Sequence, residues 1–117
     1  MKKKFILLIV LSLLVIGLAA FTIHAFSVPF TVTSVNENKT AELNIEQKTD
    51  IALIFMGGAW IDGITNCAYD YVFNHNGCTY HYHSECGTFC NITDKTCLEL
   101  SEATQNKVND ILKSLFP

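Results

Sequence analysis

The chain contains no arginine, two prolines and one tryptophan, and past its first quarter it has no long apolar run. Each shortage excludes a class of protein. Cationic groups for phosphate are scarce: residues 26–117 carry five lysines against eleven carboxylates, a net charge of 5 − 11 = −6. Such a surface repels a nucleic-acid backbone, so nucleic acid is excluded as a partner. One apolar run cannot make a multi-span membrane protein, and a chain that is 50% hydrophobic is neither disordered nor a coiled coil. Familiar catalytic templates are also missing. There is no Gly-x-Ser-x-Gly, no His-Glu-x-x-His and no Cys-x-x-Cys-His, and Gly57-Gly58 lacks the lysine of a phosphate loop. Asp50 and Asp62 are carboxylates that nothing in the sequence orients. No catalytic residue is assigned, and the chain reads as a non-enzyme.

What is present begins with an address. Lys2, Lys3 and Lys4 precede an apolar stretch from Phe5 to Ile23, followed by small residues. Residues 1–25 read either as a cleaved export signal, ending at Ala25 or Ala20, or as a retained anchor, since about 20 apolar residues cross a bilayer. Either way residues 26–117 form one extracytoplasmic domain, secreted or periplasmic, that meets a membrane only through its N-terminal segment. Asn38 and Asn91 fit the N-glycosylation pattern and would be acceptors in a eukaryotic host.

The exported part predicts an α+β domain: an antiparallel sheet of four to five strands with one C-terminal amphipathic helix packed on one face. Val28–Val35 and Thr40–Gln47 alternate apolar and polar residues as two strands. Ile51–Met56 is continuously apolar and reads as a central strand, with residues 57–66 as a loop. Asn76-Gly77 predicts a type I′ hairpin turn. Folding there puts Cys67, Tyr69, Tyr71, Phe73, Tyr80, Tyr82 and Cys86 on one face, and Asp70, Val72, Asn74, Thr79, His81, His83 and Glu85 on the other. A one-residue slip would mix those sets. Thr96–Leu100 reads as a short strand, and Ser101 as the N-cap of a helix over 102–115 whose stripe is Thr104, Val108, Ile111, Leu112 and Leu115.

The apolar segment entering Gly57-Gly58, Cys67-Ala68-Tyr69 opening a hairpin turned by Asn76-Gly77, and Leu98-Glu99-Leu100-Ser101-Glu102 starting a helix together resemble small exported bacterial sheet-plus-helix domains of unknown function. The resemblance spans roughly residues 51–115 and implies a fold, with no chemistry attached.

Five cysteines in an exported chain predict a covalent framework. The hairpin register pairs Cys67 with Cys86, Cys90 and Cys97 bracket a short loop as the second pair, and Cys78 is left as the free thiol. On the polar face His81 and His83 project from one strand beside Asp70 and Glu85. Those four residues are the candidate ligands of a Zn or Cu ion, since imidazole with carboxylate suits both metals. His75 beside Cys78 is a poorer set. The leading expectation is a binding module without a cofactor, contacting a protein or envelope component through the His81/His83 face. Metal capture on that face is the alternative.

Overall fold

The computed structural model describes residues 2–117, residues 20–27 through their backbone alone. Among the described residues there are three helices and a seven-stranded, wholly antiparallel sheet. Helix α1 spans Lys2–Ser27 and leaves its described apolar side chains from Phe5 to Leu18 exposed, by 46% to 67%. Among the described residues no helix is long and apolar enough to cross a membrane. Ala20 and Ala25, the candidate cleavage positions, fall where only the backbone is described.

Strands β1 (Phe30–Ser34) and β2 (Lys39–Glu42) form the expected meander. Helix α2 (Ile45–Gly57) then occupies the place where a central strand was expected at Ile51–Met56. A six-residue apolar run does not distinguish a buried strand from a helix, and here the local cap decides. The Asn44 side chain accepts from the Gln47 amide at 2.8 Å, and the Gln47 side chain accepts from the Asn44 amide at 3.0 Å. That reciprocal box satisfies two amides that a helix start otherwise leaves unpaired. It also ends the second predicted strand early, so Ile45 is exposed rather than turned inward. Of the apolar run, Ile51 is buried, Ile54 and Phe55 are half-buried at helical spacing, and Leu53 and Met56 face water.

The chain continues through β3 (Ile61–Asp62), β4 (Tyr71–His75), β5 (Cys78–His83), β6 (Thr88–Asn91), β7 (Thr96–Glu99) and helix α3 (Glu102–Leu115). Sheet order is β2-β1-β4-β5-β6-β7-β3. The β4–β5 hairpin has the register expected from its turn, with Tyr71 opposite Tyr82 and Phe73 opposite Tyr80. Asn76 and Gly77 have φ of +49° and +78°, the pair of left-handed residues that a type I′ turn requires. Helix α3 starts where expected: the Ser101 hydroxyl accepts from the Thr104 amide, and Val108 and Leu112 are buried.

Both α2 and α3 pack on one face of the sheet, which gives a two-layer core. Phe30, Val32, Phe73, Tyr82, Phe89 and Leu98 supply its sheet side; Ile51, Val108 and Leu112 supply its helix side. The rings meet at angles that suit their quadrupoles. Phe73 stands edge-on to Phe89 at 5.1 Å, and Phe55 of α2 stands edge-on to Phe89 at 4.9 Å. Trp60 closes the end of this layer, donating to the Phe55 carbonyl at 3.0 Å. The Tyr82 hydroxyl, whose pKa burial pushes up, donates to Asn109 of α3 at 2.6 Å.

Candidate functional site: the outer face and the strap across it

The sheet's other face carries one residue from each strand in a continuous row: Thr40, Thr33, Val72, His81, Cys90, Cys97 and Ile61. His83 belongs to the next row, opposite Thr88, which is opposite Glu99. Alternation along β5 therefore puts both imidazoles on this outer face, as the register required. Their exposure differs from expectation, and connectivity is the reason. β3 lies at the far edge beside β7, whereas β4 lies between β1 and β5. The connection over 63–70 must therefore cross β7, β6 and β5, and it does so as a strap on the outer face.

Tyr69 is the strap's main contact. Its ring stacks on His81 at 3.8 Å and stands edge-on to His83 at 6.2 Å. The expectation that Tyr69 joins the inward aromatic face is corrected here: the ladder stops at Tyr71, and the chain has left the hairpin by Tyr69. Asp70 marks the exit. Its amide donates to the Tyr82 carbonyl and its carbonyl accepts from the Val35 amide, while its carboxylate accepts from the Ser84 amide at 3.0 Å and from the Ser84 hydroxyl.

Beneath the strap His83 is 5% exposed, and its Nδ1 is buried without a hydrogen-bond partner. Thr88 and Cys90 are buried beside it. A cavity of about 360 Å³ is lined by β3, strap residues 63–66, Thr88, Cys97 and Glu99. Burial lowers the His81 pKa, and the neighbouring His83 lowers it further. Charging His81 here costs solvation that the strap excludes.

The four candidate ligands are thus only partly assembled. His81 and His83 share a face with Tyr69 against both. Asp70 is committed to Ser84, and Glu85 is exposed on the turn, its carbonyl accepting from Gln105 at 3.2 Å. Among the described residues no three His, Cys, Asp or Glu side chains converge as a metal-holding group. His75 is engaged elsewhere, stacked on Phe30 at 4.5 Å with Nδ1 3.3 Å from the Pro29 carbonyl. Asp50 pairs with Lys107 at 3.4 Å, and Asp62 sits at the cavity edge.

Cys67 is bridged to Cys86, Cys90 is bridged to Cys97, and Cys78 is a half-buried free thiol. Two bridges suit an oxidising, extracytoplasmic environment. Cys90 and Cys97 face each other directly across β6 and β7. Cys67 lies on the strap and Cys86 on the turn after β5, so this bridge fastens the strap to that turn. Cys97 Sγ lies 3.4 Å from the Gly63 carbonyl; a bridged sulfur has no proton to donate, so this is only a contact. Asn38 is exposed in a turn at φ +52°. The Asn91 side chain, buried, accepts from the Thr93 and Asp94 amides and donates to Asp94, so it is not presented for a glycan as folded.

Sequence reasoning missed the strap, Tyr69's stacking role and the burial of His83. Asp70 was the available signal, since aspartate is depleted in strands and ends the β4 pattern. No protein-family model, no curated protein and no solved structure matches this chain.

Proposed function

We propose that residues 26–117 form an exported, non-enzymatic binding module whose partner is a protein with an apolar surface rimmed by basic side chains. The observation that carries this reading is the solvent face of α2. Ile45, Thr49, Ala52, Leu53 and Met56 recur there at helical spacing, all exposed and none charged. A helix apolar on both sides is normally covered on both. On α2 the carboxylates Glu46 and Asp50 outnumber Lys48, Asp50 is paired with Lys107, and the domain's net charge is −6. Like charge disfavours a second copy at this face and favours a basic partner.

The test places a photo-crosslinking residue at Thr49 of the full chain in its native host. A heterologous adduct is expected, and it should be lost when Leu53→Glu and Met56→Glu are combined. No adduct, or an adduct of twice the chain's mass, would contradict the reading.

A second reading, capture of Zn²⁺ or Cu²⁺ by His81 and His83, is favoured by the unpartnered His83 Nδ1. Buried polar atoms in native proteins nearly always have partners, so an orphan is a candidate ligand atom. Asp70 would have to release Ser84 to join it, with Glu85 turning in from the surface. Titration of the purified chain with each ion is expected to give micromolar binding that His81→Ala weakens at least tenfold. No saturable binding would end this reading.

A further inference from the structure

We infer that the Cys67–Cys86 bridge is a releasable clasp: an external dithiol opens it before Cys90–Cys97, and opening it lifts the strap and uncovers His83 while the sheet stays folded. This does not depend on the α2 binding surface. The two halves of the clasp are held very differently.

The Cys86 side is fixed without the bridge. In its turn Gly87 donates to the His83 carbonyl at 2.8 Å, Leu100 donates to the Gly87 carbonyl at 2.8 Å, and Gln105 of α3 donates to the Ser84 carbonyl at 2.8 Å. The Cys67 side is barely held. Gly63 donates to the Lys95 carbonyl at 3.2 Å, and the next backbone bond to the sheet along the strap is at Asp70. Among the described residues the one intervening bond, from the Cys67 amide to Thr65 Oγ1, is internal to the strap. Ile64, Asn66, Ala68 and Tyr69 are exposed, and Ile64, Thr65 and Asn66 line a cavity with Thr88 and Glu99 instead of filling it. With the bridge open, the Tyr69–His81 stack is the main remaining tie across its middle. Lifting the strap also gives water access to His83 Nδ1, a polar atom left unpaired by folding.

The two bridges differ in access at one sulfur each: Cys67 and Cys97 are both half-buried, but Cys86 is exposed on its turn whereas Cys90 is buried. Cys90 and Cys97 also sit inside a four-pair ladder that would hold both residues in place even if reduced. Exchange proceeds through attack by a thiolate on a reachable sulfur. One thiolate of the dithiol attacks Cys86 Sγ, the Cys67–Cys86 bond breaks, and Cys67 leaves as a thiolate that takes up a proton. The reagent's second thiol, as thiolate, attacks its own sulfur in the mixed disulfide. Cys86 is released and protonated, and the dithiol departs as a cyclic disulfide. Two electrons and two protons have moved to the protein.

The test uses the full chain with Cys78 blocked first, equilibrated in graded mixtures of reduced and oxidised dithiothreitol and then alkylated and mapped by mass spectrometry. Cys67 and Cys86 are expected to be half-labelled at a reduced-to-oxidised ratio at least tenfold below that for Cys90 and Cys97. In a Cys67→Ser, Cys86→Ser chain, hydrogen–deuterium exchange at the His83 imidazole C2 should accelerate severalfold, with β4–β5 amide protection unchanged. Three results would each overturn the inference: Cys90–Cys97 opening first or together with Cys67–Cys86, His83 exchange as slow as in the bridged chain, or loss of β4–β5 protection in the variant.

Discussion

Phe73→Ala is expected to cost the domain about 3–5 kcal/mol, the range for deleting a buried aromatic ring. Phe73 is fully buried at the centre of the sheet, between β1 and β5, and its ring meets Phe30, Tyr82 and Phe89 at 6.1, 6.2 and 5.1 Å. No single neighbour can fill the hole, because those rings are themselves locked against Phe55 and α3. Small domains have only about 5–15 kcal/mol to lose, so the variant should unfold at a much lower urea concentration with an unchanged slope. Met56→Ala is the control: Met56 is 82% exposed, and its loss should change stability by less than about 0.5 kcal/mol. A Phe73→Ala cost below about 1 kcal/mol would mean that the aromatic layer is not close-packed.

The second large effect concerns the two bridges, and the expected order reverses that of loop length. Cys90 and Cys97 are 7 residues apart, Cys67 and Cys86 are 19 apart. Loop-closure entropy alone assigns about 2.5 kcal/mol to the shorter loop and about 3.3 kcal/mol to the longer. That rule assumes a bridge restricts only the unfolded chain. It should hold for Cys90–Cys97, whose residues the β6–β7 ladder keeps in place, so replacing both by serine is expected to cost about 2–3 kcal/mol. Replacing Cys67 and Cys86 frees the strap in the native state too, which returns entropy to the folded side. The cost is therefore expected to be smaller, below about 2 kcal/mol. Equilibrium urea unfolding of the two double variants measures both, and a larger loss for the Cys67/Cys86 variant would contradict a weakly held strap.

Short-range chemistry made much of this fold legible. Asn76-Gly77 carries its own turn geometry, so the register of β4 and β5 and the sorting of Tyr80 and Tyr82 from His81 followed from two residues. Ser101 ahead of an apolar stripe did the same for α3. The same kind of signal was present for α2, in Asn44 and Gln47, but the unbroken run from Ile51 to Met56 pointed to a buried strand. Apolarity on both sides of α2 misleads when one of those sides faces water. The strap was harder to read. Placing β3 at the opposite edge from β2 is a long-range pairing, set by Ile61 opposite Cys97 and Asp62 opposite Thr96. No residue between 57 and 70 announces that pairing locally. The burial of His83 follows from it, because alternation says which side of a sheet a residue faces and nothing about what crosses that side.

The strap's path and the independence of the two staples are tested together by a disulfide map of the full chain, purified without reductant and digested after free thiols are alkylated. Linked peptides joining Cys67 to Cys86 and Cys90 to Cys97 are expected, with alkylated Cys78. A bridge from Cys67 to Cys90 or Cys97, or any bridge containing Cys78, would place residues 63–70 elsewhere on the sheet and contradict the strap.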